Sequence, residues 1–357
     1  MTSVLISSET IATEIHGAVA HRILYHSYDM HGNATQSTGL VIAPTNPGSN
    51  RRVLSWAHGT TGLGDAACPS AQPDPARELS LYADSGSLSQ IDYGVPNLQR
   101  CIDEDWVVCA TDYQGLGTPE AHQYMINRTN AIDTVTIVQA AREMNLGAGT
   151  QFGIVGWSQG GGAASAAAEL EPVEYADLTL VGIAAMSPGI PMVAVTMPKL
   201  GRTLGPDDVH QFMNFAGLAT AFPDVLKLED VYSPLGIAIH EENWNIQSVH
   251  HYQDVLTRVF TRQGPVLSFN REKFPLWIEA MTTASAARRK PVCPVLVTID
   301  SQDDGNVVSV GLQMGFVDAL RGLGGDVSIL TYPNDDHYSL PRSSMPDCLD
   351  WLTEKFQ

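Results

Sequence analysis

The stretch that most constrains the fold of this chain is Gln151 to Leu170, which reads QFGIVGWSQGGGAASAAAEL. Its apolar residues 152–155 predict a buried strand, and the run of small residues after Gly160 predicts a helix. Between them, residues 156–160 form a G-x-S-x-G pattern centred on Ser158. A strand, a sharp turn and a helix are the context in which such a serine is exposed as a nucleophile. The sequence therefore predicts Ser158 as a catalytic nucleophile.

The glycines around this serine fit the same interpretation. A serine on so sharp a turn has a strained backbone, so the residues two before and two after it must lack bulk. Gly156 and Gly160 meet that need, because glycine allows close approach without steric cost. The small residues 161–164 let the following helix press against the sheet. The helix N-terminus then points backbone N–H groups and a partial positive charge at Ser158.

Length and charge limit the classes of protein to consider. The 357 residues are 44% hydrophobic and 17% charged, which suits one large α/β domain with an insertion, or two domains. The net charge of −19 would repel nucleic acid and anionic membranes, so neither is expected as a partner. No run of 18 or more apolar residues occurs, and no transmembrane helix is expected.

The N-terminal residues and the cysteines bear on the cellular location. The first residues lack a basic region followed by a long apolar run, so no signal peptide is visible. This predicts a cytoplasmic protein, or a secreted one if a leader has been trimmed. The five cysteines are an odd number without metal-ligand spacing. A Cys68–Cys101 bridge stays open as an alternative, and a reduced state is the simpler prediction.

The order of the predicted elements indicates the fold class. Two antiparallel strands come first, followed by strands that alternate with helices, and this predicts a mostly parallel sheet with helices on both faces. The strands of this first part are predicted at 18–28, 37–43, 52–57, 106–111, 152–155 and 178–186, and the helices at 88–103 and 130–145, besides the helix after Ser158.

The alternation of strands and helices breaks at Ser187-Pro188. Residues 189–290 show helix and loop signals and are rich in Met, Phe, Trp, Pro and His. We interpret them as a helical cap inserted into the sheet domain and covering Ser158. The core domain then comprises residues 1–188 and 291–357. Its second part is predicted to contain strands at 292–299 and 327–332 and helices at 310–323 and 342–356.

A carboxylate that could orient a histidine is predicted after the strand at 292–299. In a doubly wound sheet, functional groups lie beyond the carboxyl ends of the strands. Three aspartates stand there, and Asp304 is favoured because Asp304-Gly305-Asn306-Val307 resembles the D-x-N-V turn of many serine α/β-hydrolases. Asp303 is the second candidate and Asp300 the third.

His337 is the predicted general base. Among the eleven histidines, it alone lies both downstream of the aspartate loop and just past a predicted strand. The chain order Ser158, Asp304, His337 is the serine, acid, histidine order of serine hydrolases with this strand and helix pattern.

An oxyanion hole needs two backbone donors aimed at the developing negative charge. One is expected from Gln159, which follows the nucleophile, and the other from the loop after the third strand. That loop is 58–62, with the sequence HGTTG, and we assign the second donor to the N–H of Thr60. His58 is interpreted as a residue that fixes the loop through hydrogen bonds.

Taken together, these motifs resemble the α/β-hydrolase superfamily and, within it, the secretory (lipase A-like) lipases and related bacterial carboxylesterases. The resemblance extends from about residue 15 to the C-terminus. It rests on HGTTG at 58–62, DYQGLG at 112–117, the G-x-S-x-G pattern at 156–160, and the turns of Asp304 and His337. It implies an α/β-hydrolase fold with an inserted helical cap, and carboxylic ester hydrolysis without a metal or an organic cofactor.

The resemblance and the residues together predict a serine carboxylesterase or lipase. Ser158, Asp304 and His337 would form the triad, with Thr60 and Gln159 as the oxyanion hole. The expected substrates are small to medium apolar esters, hydrolysed through an acyl-enzyme. Two alternatives stay open: an acyltransferase with the same triad, and a non-catalytic ligand-binding protein on the same fold.

Overall fold

The computed structural model describes residues 3–197, 206–302 and 307–356. Their strands form one sheet in the order β1-β2-β3-β5-β4-β6-β7-β8-β9. The strands are β1 (Leu5–Ile11), β2 (Ala18–Tyr28), β3 (Ala34–Pro44), β4 (Arg51–Ala57), β5 (Val107–Thr111), β6 (Ala148–Trp157), β7 (Thr179–Met186), β8 (Val295–Asp300) and β9 (Val327–Tyr332).

The helices of the described residues fall into those of the sheet domain and those between β7 and β8. The sheet domain contains α1 (Pro75–Leu79), α2 (Leu98–Asp103), α3 (Asn127–Glu143), α4 (Gln159–Ala167), α10 (Val310–Gly322) and α11 (Leu340–Thr353). Between β7 and β8 lie α5 (Met192–Thr196), α6 (Val209–Ala221), α7 (Pro234–Asn243), α8 (Val249–Gln263) and α9 (Phe274–Ala284).

The sheet is antiparallel at its N-terminal edge and parallel elsewhere. β1, β2 and β3 pair antiparallel, and β3 joins β5 in the same sense. From β5 through β4 to β9, every pair is parallel. Parallel strands need crossover connections, and the intervening helices supply them. The mostly parallel sheet predicted from the sequence is therefore confirmed.

Successive residues of the central strands face opposite layers of the core. On β4, Val53 packs in the cluster that contains Val135 of α3, while Leu54 packs in the cluster that contains Leu98 of α2 and Leu349 of α11. Both faces are thus covered by helices, which explains why the buried parts of the central strands are mostly apolar and show no alternating pattern. This arrangement leaves the carboxyl ends of the parallel strands as the edge where loops can form a site.

Strand β1 and helix α2 differ clearly from the sequence prediction. The edge strand β1 was not predicted, because most of its residues are exposed and it shows no apolar face. Helix α2 begins at Leu98 instead of about residue 88. The preceding loop contains Pro96, and Gly94 packs so closely that an added Cβ would lie 2.5 Å from the backbone nitrogen of Tyr82.

In the part of residues 189–290 that the structure describes, helices α5 to α9 are joined by loops. Their core is aromatic: the rings of Phe212 and Tyr232 stack with centroids 4.1 Å apart, and Phe215 meets Trp277 edge-on at 5.3 Å. The division of the chain into a core of residues 1–188 and 291–357 and a cap of residues 189–290 stays a prediction, because helices alone do not define a separate domain.

The five cysteines are all free and buried. Cys68 and Cys101 therefore do not form the bridge that the sequence left open. Burial raises the pKa of the Cys68 thiol, with the nearby Asp112 carboxylate adding to the effect, so this thiol stays protonated and unreactive at neutral pH. No helix among the described residues has the length and apolar character needed to cross a bilayer.

Candidate active site

Ser158 occupies the sharp turn between β6 and α4, in a backbone conformation with φ 55° and ψ −113°. A Cβ on Gly156 would lie 2.1 Å from the carbonyl oxygen of Gly160, and one on Gly160 would lie 1.9 Å from the carbonyl oxygen of Ala57. Both contacts are with backbone atoms, so no side-chain movement could relieve them. The two glycines are therefore required by the turn itself, as the sequence predicts.

The imidazole of His337 lies against the hydroxyl of Ser158. The distance from Nε2 to Oγ is 2.9 Å, and the two residues are 3% and 9% exposed. His337 stands in the loop between β9 and α11. Its backbone is held by Trp157, whose indole N–H donates to the His337 carbonyl at 2.8 Å. The structure thus brings together two side chains that the sequence separates by 179 positions.

The other ring nitrogen of His337 faces hydrogen-bond acceptors. Nδ1 lies 2.9 Å from Oγ of Ser187 and 3.9 Å from Oδ2 of Asp300. Asp300 is fully buried, and its Oδ1 accepts from Nε2 of Gln313 at 3.0 Å. These neighbours favour the tautomer with a proton on Nδ1, which leaves Nε2 free to accept a proton from Ser158.

The favoured acid, Asp304, and the second candidate, Asp303, lie outside the described residues, so their placement relative to His337 stays a prediction. The two loops concerned are joined at the described end of the aspartate loop. Gln302 donates its backbone N–H to the carbonyl of Asp335 at 3.0 Å and its side-chain amide to that of Pro333 at 2.6 Å. Ser187 was not singled out in the sequence, although it lies where the strand and helix alternation breaks.

The two residues assigned to the oxyanion hole lie on neighbouring segments, Thr60 on a loop and Gln159 at the start of α4. Gln159 is the first residue of α4, so its N–H has no carbonyl partner within the helix. The loop of Thr60 approaches the nucleophile turn closely, since a Cβ on Gly59 would lie 2.4 Å from the ring of Trp157. The hydroxyl of Thr60 is 2.7 Å from that of Tyr124.

His58 holds this loop in place. Its Nδ1 lies 2.6 Å from the carbonyl of Gly59, and its own carbonyl accepts from the hydroxyl of Tyr113 at 3.0 Å. Burial lowers the pKa of the His58 imidazole, which opposes a charged ring at neutral pH. Tyr113 has a φ of 71°, so the DYQGLG motif also contributes a strained backbone to the loop network.

His122, which contacts Gln159, was not singled out in the sequence. The distance between His122 Nε2 and Gln159 Nε2 is 2.9 Å, and His122 is 1% exposed. His122 also borders a cavity of about 460 Å³ between α6, α7 and residues 121–122. Such contacts join loops far apart in the chain, so no local pattern could have revealed them.

The described residues contain no group of three or more His, Cys, Asp or Glu side chains that could hold a metal ion. This geometry can move a proton between the hydroxyl of Ser158 and the imidazole of His337. Those parts suit acyl transfer through a serine.

The chain is similar to known lipases and esterases. Residues 83–228 match the family described as Secretory lipase. A curated relative, the probable inactive lipase of Mycobacterium tuberculosis, is 26% identical over 94% of this chain and 73% of its own length. The resemblance to the secretory lipases that the sequence predicts is thereby confirmed, and the family match supports a hydrolase of the lipase and esterase type.

Solved structures show the same fold. The rice cell wall degrading esterase LipA from Xanthomonas oryzae, in a mutant form, matches with a TM-score of 0.76 and 17% identity, covering 99% of both chains. Lipase A of Candida antarctica in its closed state matches with a TM-score of 0.77 and 14% identity, covering 99% of this chain and 81% of its own. The predicted α/β-hydrolase fold is therefore confirmed.

The predicted cytoplasmic location is wrong. It rested on the apparent lack of a signal peptide in the first residues. The matching family is described as Secretory lipase, and this points to a secreted protein.

Proposed function

We propose that this protein is a serine carboxylic ester hydrolase that acts through an acyl-enzyme. The observation that carries the proposal is the 2.9 Å distance between Ser158 Oγ and His337 Nε2. Ser158 stands on a turn where backbone contacts allow only glycine at positions 156 and 160. A serine and an imidazole at hydrogen-bond distance are the nucleophile and general base of acyl transfer. The match to the secretory lipase family supports the same reaction class.

The reaction has two steps. Ser158 Oγ attacks the ester carbonyl while His337 Nε2 takes its proton, and the imidazolium then gives that proton to the leaving alcohol. Water attacks the acyl-enzyme next, with His337 again as base, and releases the acid. The backbone N–H groups of Thr60 and Gln159 bind the oxyanion in both steps.

For the acid of the triad we propose Asp304. Asp303 and Asp300 are the alternatives, and Oδ2 of Asp300 lies 3.9 Å from His337 Nδ1. Single replacements by Asn separate the three: Asp304→Asn should lower kcat by about 10⁴-fold, as loss of a triad carboxylate does, and Asp303→Asn and Asp300→Asn should lower it by far less. If the largest loss in steady-state kinetics falls on Asp303→Asn or on Asp300→Asn instead, that aspartate is the acid.

The substrates we propose are small to medium apolar esters. A cavity of about 460 Å³ adjoins His122, which contacts Gln159, and ligand pockets for small molecules have volumes of about 300–1,000 Å³. Residues 189–290 would act as the cap that bounds this space. A series of p-nitrophenyl esters of rising chain length tests the size, and a maximum at long chains with activation at an oil interface would contradict it.

A non-catalytic protein is the second candidate, because the Mycobacterium tuberculosis relative carries the name of a probable inactive lipase. The contact between Ser158 and His337 argues for activity in this chain. A fluorophosphonate probe distinguishes the two, since only an activated serine reacts with it. Absence of labelling would favour the non-catalytic protein.

The decisive experiment is Ser158→Ala. It should lower kcat for p-nitrophenyl butyrate by about 10⁵-fold or more, because removing the nucleophile of a triad costs about as much rate as removing the whole triad. Ser165→Ala is the matched control, since Ser165 is a buried serine of α4 in the sequence that follows the turn. Activity that persists in Ser158→Ala would refute the proposal.

A further inference from the structure

Residues 122–124, which we call the bridge, contact both residues of the proposed oxyanion hole. The ring of His122 meets the side chain of Gln159 at 2.9 Å, and the hydroxyl of Tyr124 meets that of Thr60 at 2.7 Å. The backbone N–H of His122 also donates to the carbonyl of Leu63 at 3.3 Å, just past the loop of Thr60. One short segment therefore ties together two loops that follow different strands.

The direction of the hydrogen bond between His122 and Gln159 can be worked out from its neighbours. His122 Nδ1 lies 2.7 Å from the carbonyl oxygen of Gln114, and a carbonyl only accepts, so Nδ1 carries the proton. Burial lowers the pKa of His122 to about 3, so the ring is neutral at neutral pH and Nε2 is an acceptor.

The side chain of Gln159 supplies the matching donor. Its Nε2 also lies 3.3 Å from Oδ1 of Asn130, and Nδ2 of Asn130 in turn lies 3.5 Å from the carbonyl of Gln123. This fixes Asn130 with its oxygen towards Gln159, so the Gln159 amide nitrogen has two acceptors, Asn130 and His122.

The ring of His122 is held firmly enough to orient its partner. It stacks on Tyr113 with the planes 13° apart and the centroids 6.0 Å apart. Gly115, with φ 84°, passes so close that a Cβ there would lie 2.3 Å from the backbone nitrogen of His122. The DYQGLG loop therefore packs against the bridge, and little room is left for the imidazole of His122 to rotate.

We propose that His122 is a positioning residue for the oxyanion hole: it accepts from the side chain of Gln159 and so fixes the direction of the Gln159 backbone N–H, while Tyr124 fixes Thr60. The proposal rests on the proposed ester hydrolysis. Donors that stabilise a transition state act only when aimed at the oxyanion beforehand, and a displacement of about 1 Å can cost about 100-fold in rate.

Two replacements of His122 separate the roles of its two ring nitrogens, Nδ1 and Nε2. Asn places an amide nitrogen near the position of Nδ1, so His122→Asn keeps the bond to Gln114 and loses the acceptor for Gln159. The longer Gln can bring its amide oxygen to the position of Nε2, so His122→Gln keeps the acceptor and loses the bond to Gln114. Both variants lose the stacked ring and each keeps one hydrogen bond, which makes them a matched pair.

The expected results differ between the two variants. His122→Asn should lower kcat by about 10- to 100-fold with little change in KM, because the loss falls on transition-state stabilisation. His122→Gln should stay within about threefold of the unsubstituted protein by the same reasoning. Equal losses in the two variants would show that His122 only stabilises the fold and would overturn the inference.

Thermal unfolding and a double variant provide the controls. The two variants should have similar Tm values, so their difference in kcat cannot come from stability. Gln159→Leu removes the amide but keeps the backbone N–H, and adding it to His122→Asn should cause no further loss if both act through one contact. Additive losses would contradict the proposal.

Labelling by a fluorophosphonate keeps the test independent of ester turnover. Ser158 Oγ attacks phosphorus, its proton passes to His337, fluoride leaves, and the phosphoryl oxygen occupies the oxyanion hole. His122→Asn should label more slowly than His122→Gln. If the unsubstituted protein neither labels nor hydrolyses an ester, the proposed function fails; if it labels and the two variants label at equal rates, only the inference about His122 fails.

Discussion

The nucleophile turn and the helices between β7 and β8 are held by different kinds of contact. At the turn, backbone meets backbone: the spaces beside Gly156 and Gly160 are closed by carbonyl oxygens. In the helices, ring meets ring, as Phe212 does with Tyr232 and Phe215 with Trp277. The first arrangement leaves no freedom in residue type, whereas the second depends on filling a volume.

This difference separates the reaction from the choice of substrate. A backbone contact cannot adjust to a new side chain, so the position of Ser158 relative to His337 tolerates no change at the turn. A core of side chains can repack around substitutions of similar volume. Change in residues 189–290 can therefore alter the cavity while the contact between Ser158 and His337 stays intact.

The largest effect is expected from Gly160→Ala. Its Cβ would lie 1.9 Å from the carbonyl oxygen of Ala57, so the turn must open, at a cost above about 4 kcal/mol, which is exceptional for a single substitution. Loss of ester hydrolysis and a large fall in Tm should follow. An active protein with unchanged Tm would remove the contrast between the two regions.

Gly315→Ala is the control for this change. Gly315 lies in α10, and an added Cβ there meets nothing within 4 Å. Alanine is favoured over glycine inside a helix by about 1 kcal/mol, so this variant should be as active as the unsubstituted protein and slightly more stable in thermal unfolding.

A smaller effect, of another kind, is expected from Phe212→Leu. The fully buried ring stacks on Tyr232 at 4.1 Å, and loss of an aromatic pair costs about 0.5–1.5 kcal/mol beyond the buried area. Because Phe212 lies on α6, and α6 and α7 border the cavity, the preferred chain length of p-nitrophenyl esters should shift. The kcat for the shortest ester should change by less than about threefold, since the positions of Ser158 and His337 are unaltered.

Phe316→Leu tests whether that shift is specific. Phe316 is a buried ring of α10 in the sheet domain, so this variant should lose stability without changing the preferred chain length. A shift in both variants, or in neither, would contradict the assignment of substrate choice to residues 189–290.

The smallest effect on ester hydrolysis at neutral pH is expected from His240, which changes the pH dependence of stability. Burial lowers the pKa of His240, on α7, to about 4 from its usual 6.5. The neutral ring therefore stabilises the fold above pH 6.5, and this contribution is lost as the pH falls towards 4, where the unfolded chain takes up the proton first. His240→Gln should flatten the fall of Tm between pH 6.5 and 4, and an unchanged slope would contradict the assignment to His240.

Local patterns predicted most of the fold, and the failures have physical causes. The buried central strands and the helix after Ser158 are fixed by residues near in sequence. Strand β1 is mostly exposed and owes its place to pairing with β2, so its sequence shows no apolar face. The start of α2 depends on close packing of Gly94 against Tyr82, which no window of sequence contains.

The site divides in the same way. The proximity of Ser158 and His337 could be expected, because each follows a strand and the chain order of serine hydrolases connects them, whereas their catalytic roles stay a prediction. The contact of Ser187 with His337 and that of His122 with Gln159 join segments separated by 150 and 37 positions. Neither residue type is unusual in its local sequence, so only the folded chain reveals these contacts.

The indole of Trp157 has a mechanical consequence. His337 follows β9, which among the described strands pairs only with β8 and so lies at the edge of the sheet, where local unfolding begins. The hydrogen bond from the Trp157 indole to the His337 carbonyl attaches the loop after β9 to the centre of the sheet, next to Ser158. β9 can therefore unpair from β8 over part of its length before Ser158 and His337 separate. Hydrogen exchange should find the loop that contains His337 better protected than β9.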